Sequence, residues 1–89
     1  AAIKRTIESL QDQIQAESNA RDRVYQEQNR IRENIKAVPP GSDIQARYLK
    51  SMNELEDQAE THKRNIDKLE QQLVAERQKL ADYVSGLQL

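Results

Sequence analysis

The only histidine of the chain, His62, is the side chain whose type best suits acid–base or metal chemistry near neutral pH. A helical metal site needs further ligands about one turn away, as in the Glu-x-x-His spacing of metal-binding bundles. Ala59 and Gln58 lie three and four residues before His62, and Ile66 lies four residues after it. The spacing therefore predicts no metal ion or other cofactor and no catalytic residue, and it favours a structural role for His62.

The remaining groups with chemical potential do not form a catalytic pattern either. Cysteine is absent, which excludes disulfides and thiolate metal sites. Glycine-rich phosphate loops and Ser/His/Asp arrangements are also absent. Pairs of carboxylates act as acid and base only where a pocket desolvates them, and a slender helical protein offers no such pocket. The sequence predicts that the chain is not an enzyme and takes no small-molecule substrate.

The charge balance gives little indication of a polyanionic partner. The chain has 14 basic and 15 acidic residues and a net charge of -1, so it has no general attraction to nucleic acid or anionic lipid. Basic residues do gather on both sides of the Pro-Pro-Gly segment, at Arg30, Arg32, Lys36, Arg47 and Lys50. Acidic residues are mixed among them, so nucleic acid is a disfavoured partner. There is no membrane-length apolar run and no signal peptide, and the sequence selects no compartment.

The apolar residues are ordered in heptads (positions a to g, with a and d forming the seam between helices). One series, with Ile3 at d and Ile7 at a, alternates four- and three-residue steps through Ile3, Ile7, Leu10, Ile14, Glu17, Arg21, Val24, Gln28, Ile31, Ile35 and Val38. A second does so through Tyr48, Met52, Leu55, Ala59, His62, Ile66, Leu69, Leu73, Glu76, Leu80, Tyr83 and Leu87. The stripe is narrower than the face of a bundle helix, which favours a two-stranded coiled coil.

A helix-breaking segment separates the two series. Pro39 and Pro40 cannot continue a helix, Gly41 tolerates a positive φ, and Ser42 with Gln45 forms a capping-box pattern. The short connection predicts that the second helix returns antiparallel to the first. The fold class is therefore all-α, an antiparallel two-helix coiled-coil hairpin about 50–60 Å long.

The predicted boundaries make residues 1–89 a single hairpin. It has a helix at 2–37, a turn at 38–42 and a helix at 43–85, which ends at a Ser85-Gly86 cap before Leu87-Gln88-Leu89 leaves the helix. Because the chain opens inside a helical pattern, we expect a fragment of a larger protein. Matching a to d across the hairpin places Ile35 opposite Tyr48 and Ile3 opposite Leu80.

Five residues are candidates for a register or interaction role. Glu17, Arg21 and His62 occupy adjacent seam layers, where polar groups lower stability but penalise wrong registers. Glu17 and Arg21 are also spaced i,i+4, in the order that favours an ion pair. We predict that this middle region has the lowest local stability of the rod. Tyr25 and Leu49 sit at e positions beside the seam, where they either broaden it or form a small contact patch.

The residues around the turn also resemble a protein family. The segments Gln26–Val38, Arg47-Tyr48-Leu49 and Asn53–Gln58, with the Pro-Gly-Ser turn between them, are similar to the coiled coil of bacterial mucoidy inhibitor A proteins. Met52-Asn53-Glu54 departs from that pattern where a leucine is common. The closing segment Leu80–Leu87 is similar as well. The resemblance implies a long coiled coil that accompanies a β-rich domain of unknown function, and it implies no enzyme activity.

These observations predict a mechanical role. The preferred hypothesis is a structural spacer or protein–protein interaction arm whose partner is the rest of the parent protein or another protein. Two alternatives remain open, a self-association module that forms a homodimer and a helical arm that contacts nucleic acid.

Overall fold

The computed structural model describes residues 2–87, and within them the chain forms two long helices joined by a tight turn. Helix α1 covers Ala2–Lys36 and helix α2 covers Asp43–Leu87. They pack antiparallel along their length into a rod with extents of 72 × 14 × 14 Å. The predicted fold class, an all-α antiparallel hairpin, is confirmed.

The core of the rod is the predicted seam. Every a and d position from Ile3 to Leu80 is buried or half-buried. The side chains with the least exposure all belong to it, namely Leu10, Val24, Gln28, Ile31, Ala59, Ile66 and Leu73. Burying one such aliphatic side chain stabilises the folded state by about 1.5–3 kcal/mol, so a few seam layers supply most of the stability.

Hydrogen bonds between the helices define the register. Gln28 bonds to Glu56, the residue next to its predicted partner Leu55. Glu17 bonds to Asn65, next to its predicted partner Ile66. A slip of one heptad would move each partner by seven residues, about 10 Å, and would break both bonds. The structure therefore has the predicted register.

The turn is held by its own hydrogen bonds. Gly41 has a φ of 76°, a conformation that favours glycine. The Ser42 hydroxyl accepts from the Gln45 N–H at 3.2 Å and donates to the Pro39 carbonyl at 2.6 Å. The side-chain oxygen of Gln45 accepts from the Gly41 N–H rather than from the N–H of Ser42, which a standard capping box would use. These bonds fix the angle at which α2 begins.

Two predicted features of the helix ends and the predicted length are corrected. Helix α1 ends at Lys36, because the Ala37 and Val38 amides bond three residues back and tighten the last turn. The cap at Ser85-Gly86 does not form, since Gly86 keeps a negative φ and α2 continues to Leu87. The rod is longer than 50–60 Å because α2 has 45 residues and extends past the start of α1. The predicted exit at Gln88-Leu89 lies outside the described residues.

Candidate functional site

A polar cluster spans the seam in the middle of the rod. The Nδ1 atom of His62 lies 2.6 Å from Oε2 of Glu17, and the Asn65 amide donates to the other carboxylate oxygen at 3.3 Å. The side chains of His62 and Glu17 are 25% and 26% exposed, so the carboxylate is partly shielded from water. The carboxylate thus links two residues of α2 to one residue of α1, which ties the helices together in one register.

Arg21 does not join this cluster, which corrects the predicted pairing of Glu17 with Arg21. Its guanidinium donates to the Ser18 hydroxyl at 3.2 Å, lies 3.6 Å from the Asp22 carboxylate and stacks 5.8 Å from the ring centroid of Tyr25. Its Nε atom is buried and has no hydrogen-bond partner within residues 2–87. The carboxylate of Glu17 reaches across to α2 instead, because His62 and Asn65 offer it two bonds there.

The side chains of Arg21 and Glu17 leave the seam on opposite sides of the rod. In an antiparallel pair the e positions of both helices line one flank and the g positions line the other. Ser18 and Tyr25, which contact Arg21, are e residues, whereas Asn65, which contacts Glu17, is a g residue. We call these the e flank and the g flank. The cation therefore faces one side of the rod and the carboxylate cluster faces the other.

A shallow groove of about 340 Å³ lies beside His62. Its lining residues are Asp57, Gln58, Thr61 and His62, all on α2, so the groove is a surface depression of one helix. The Thr61 hydroxyl already donates to the Asp57 carbonyl. No group of three or more His, Asp or Glu side chains within residues 2–87 is placed to hold a metal ion.

Two partners of the seam were missed in the sequence analysis. The amide of Gln28, which is only 6% exposed, donates to Glu56 at 3.0 Å. Asn65 likewise bonds to Glu17. Both partners are flank residues directly beside a seam position of α2, Leu55 and Ile66. One signal in the sequence could have identified Glu56 and Asn65. Each is a hydrogen-bonding residue at a flank position, and each lies across the seam from a polar residue at a or d.

Tyr25 and Leu49 form the other candidate surface. They are 45% and 50% exposed, so they do not broaden the seam. Both lie on the e flank, and Leu49 lies at the axial level of Asn34, nine residues from Tyr25, which separates them by about 14 Å along the rod. On the g flank, by contrast, Ala20 and Asn34 are half-buried. The accessible surface of this part of the rod therefore lies at the two large e residues.

Three of the five basic residues near the turn, Arg30, Arg32 and Lys36, bond to neighbours on their own helix. The Nε atom of Arg30 donates to Glu27 at 3.1 Å, and this bond lowers the pKa of Glu27 and raises the pKa of Arg30 from their ordinary values. Lys36 pairs with Glu33 at 3.0 Å, and Arg32 donates to Asn29 at 2.7 Å. Glu27 and Glu33 therefore offset the charges of Arg30 and Lys36.

The open end of the rod exposes apolar side chains. Tyr83, Val84 and Leu87 are 53%, 43% and 68% exposed. The prediction that Tyr83 packs in the seam is wrong, because α2 at this point has passed the beginning of α1 and no described residue lies opposite.

Neither helix, over residues 2–87, has a stretch long and apolar enough to cross a membrane. No protein family, curated protein or solved structure matches the chain. The resemblance to mucoidy inhibitor A proteins stays a prediction.

Proposed function

We propose that this chain is a non-catalytic coiled-coil arm that acts as a structural spacer or a protein–protein interaction element of a larger protein. The observation that carries the proposal is the shape of 72 × 14 × 14 Å, in which one chain satisfies its own seam from Ile3 to Leu80. Such a rod keeps its length without a partner. It is two helices thick, so it has no interior in which a substrate would be desolvated.

Two features of the rod support this role. The Glu17 cluster and the Gln28–Glu56 bond hold one register, so the distance between the ends is defined. The turn is rigid, since Gly41, Ser42 and Gln45 are bonded to one another or to Pro39. A fixed length and a fixed tip are what a spacer requires.

Sedimentation equilibrium over a wide concentration range, combined with small-angle scattering, is the first test. We expect the mass of a monomer, 10.3 kDa, and a maximum dimension close to the 72 Å of the structure. A stable dimer would contradict a spacer whose seam is satisfied within one chain, and a compact particle would contradict the rod.

A matched deletion separates the spacer from the interaction element. Residues 8–14 and 69–75 face each other, so removing both keeps the register and shortens the rod by about 10 Å. In the parent protein, a spacer loses its function with this deletion and tolerates Tyr25→Ser with Leu49→Ser. An interaction element that uses the e flank shows the reverse, with Val74→Ser, which is 67% exposed, as the matched surface control. A parent protein that is unaffected by all of these changes would contradict both roles.

Self-association is the second candidate, and the accessible pair Tyr25 and Leu49 favours it. Tyrosine is enriched at the energetic centres of protein interfaces, and here a large aliphatic side chain lies on the same flank. If two hairpins pack through this flank, the thermal midpoint rises with protein concentration, and Tyr25→Ser with Leu49→Ser removes that dependence. A midpoint that is independent of concentration removes this candidate.

A further inference from the structure

The e positions of α2 carry a regular pattern of apolar and charged side chains. In chain order they are Leu49, Glu56, Lys63, Glu70, Arg77 and Val84. All six residues are exposed. The two end members are apolar, and the four inner members alternate in charge. They form a stripe about 50 Å long on the e flank, which we call the α2 e stripe.

Most charges of the α2 e stripe have no partner within the hairpin. The e positions of a coiled coil normally form ion pairs with the facing helix. On α1 these positions contain no acidic residue, since they are Lys4, Gln11, Ser18, Tyr25 and Arg32. Within residues 2–87 no salt bridge forms at Lys63, Glu70 or Arg77, and only Glu56 is bonded, to Gln28. The stripe therefore presents charges that a partner outside the hairpin can neutralise.

The α2 e stripe is complementary to a second copy of itself that runs antiparallel. A two-fold axis placed midway between Ile66 and Asp67 brings together residues that lie at equal distances from it. The resulting pairs between the two copies are Lys63 with Glu70, Glu56 with Arg77 and Leu49 with Val84. Every charged member then meets an opposite charge, and each apolar end meets the other apolar end. Complementary charges of this kind specify the partner and the register of an interface.

Other alignments of the two stripes bring like charges together. A parallel alignment in register sets each charged residue against the same residue of the second copy. An antiparallel slip of one heptad sets Lys63 against Lys63 and Glu56 against Glu70. The slip in the other direction sets Glu70 against Glu70 and Lys63 against Arg77. Because like charges in contact penalise these arrangements, the pattern selects a single antiparallel register.

From the unpaired charges and this complementarity we infer that the α2 e stripe is a docking surface for the same stripe of a second copy of this chain. The inference rests on the self-association candidate above and gives it a surface and a register. Exposed ion pairs contribute little individually, so dilute free chains remain monomeric. A parent protein that holds two arms close together raises their effective concentration, and the arms then pair side by side. Each seam stays within its own chain, so the length of the rod is unchanged.

Exchanging charges on the stripe tests the inference. Lys63→Glu or Glu70→Lys alone sets like charges against each other on both sides of the two-fold axis. We expect either change to lower the association constant at least about ten-fold in sedimentation equilibrium at low salt, with chain concentrations up to about 1 mM. The double variant Lys63→Glu with Glu70→Lys restores opposite charges in both pairs. Its association constant should return to within about two-fold of the native value.

Matched controls separate the stripe from the net charge. Lys68→Glu and Glu54→Lys make the same charge changes at exposed c positions, which lie outside the stripe. Each should change the association constant by less than about two-fold. Circular dichroism should show the same helix content for all variants, because every substituted residue is exposed.

The outcomes distinguish this inference from the proposals on which it builds. A native chain that does not associate at about 1 mM would overturn the inference and leave the monomeric spacer in place. Association that survives the single substitutions, that the double variant does not restore, or that the controls weaken equally would also overturn it. Self-association through another surface would then remain. A stable dimer in dilute solution that follows the charge pattern would support the inference and contradict the spacer.

Discussion

The rod contains two sections in which the two helices pack together through different kinds of residues. In the aliphatic section, from Ile3 to Ile14 on α1, three of the four layers contain only aliphatic residues, as in Leu10 against Leu73, and the fourth sets Ile7 against Glu76. In the central section, from Glu17 to Gln28, most layers contain a polar or small residue, yet Val24, Gln28 and Ala59 are buried as deeply. Small Ala59 leaves little bulk between the helices, and Gln28 and Glu17 are hydrogen-bonded across them.

The difference shows that burial and specificity come from different layers. An aliphatic layer stabilises any register that keeps apolar residues together, so a slip of one heptad costs it little. A hydrogen bond such as that between Glu17 and His62 forms in only one register, since a slip moves the partner away. The slip would leave a half-buried carboxylate without a partner, which lowers the stability of the wrong register. The apolar layers supply the free energy of burial, and the hydrogen-bonded layers of the central section select the alignment.

The largest effect is expected in the aliphatic section. Leu10→Ala should lower the free energy of unfolding by about 2–4 kcal/mol, because Leu10 is 6% exposed and its layer with Leu73 cannot collapse around a cavity. Urea denaturation followed by circular dichroism measures this. Val74→Ala, next to Leu73 but 67% exposed, is the control and should change stability by less than about 0.5 kcal/mol. Equal losses of stability for Leu10→Ala and Val74→Ala would contradict the burial of Leu10 in the seam.

A smaller effect is expected for the central cluster. Glu17→Ala removes the acceptor of His62 and Asn65 and should cost about 1–2 kcal/mol, since all three side chains are only partly exposed. A double-mutant cycle with His62→Ala isolates the pair, and we expect a coupling of about 0.5–1 kcal/mol. Additive losses would mean that the short Nδ1–Oε2 contact contributes nothing to folding.

Arg21 tests whether a polar seam residue is kept for stability. Arg21→Met retains the alkyl packing and removes a guanidinium whose Nε is buried without a partner. We expect the free energy of unfolding, measured by thermal denaturation, to stay the same or to rise by up to about 1 kcal/mol. A loss above about 1 kcal/mol would show that the contacts with Ser18 and the Tyr25 ring outweigh the buried N–H.

The smallest effect concerns pH and an exposed pair near the turn. The hydrogen bond from Arg30 lowers the pKa of Glu27, so the stabilisation is present above the unfolded-state pKa of about 4.3 and is lost as pH falls through the folded-state value. The thermal midpoint of the native chain should slightly exceed that of Glu27→Gln at pH 7, and the gap should close as the pH falls through the folded-state pKa of Glu27. A gap that widens in acid would reverse the assigned sign.

Local hydrogen exchange sharpens the comparison of the sections. Ser18 and Asn19 are weak helix formers beside the central cluster, which is why we predict the softest part of the rod there. Amides near residue 18 should then exchange faster than those near Leu10. Equal protection would mean that the cross-helix bonds compensate fully for the weaker local propensity.

Much of the fold followed from local rules applied to the sequence. The alternation of four- and three-residue steps determined both helices, the seam and its phase, because helix geometry brings residues with that spacing to one face. Pro39, Pro40 and Gly41 determined the turn, since their backbone preferences act within a few residues. The short turn then left one register in which every layer matched a to d.

Tertiary structure decided the features that depend on which partner lies within reach. Glu17 had an i,i+4 cation in Arg21, but the opposite helix offered it His62 and Asn65 together. Tyr83 had the spacing of a core residue, yet it is exposed, because no described residue lies opposite it. Spacing along one helix specifies which face a side chain occupies. Only the position and length of the neighbouring helix decide whether that face is covered and which polar group it bonds.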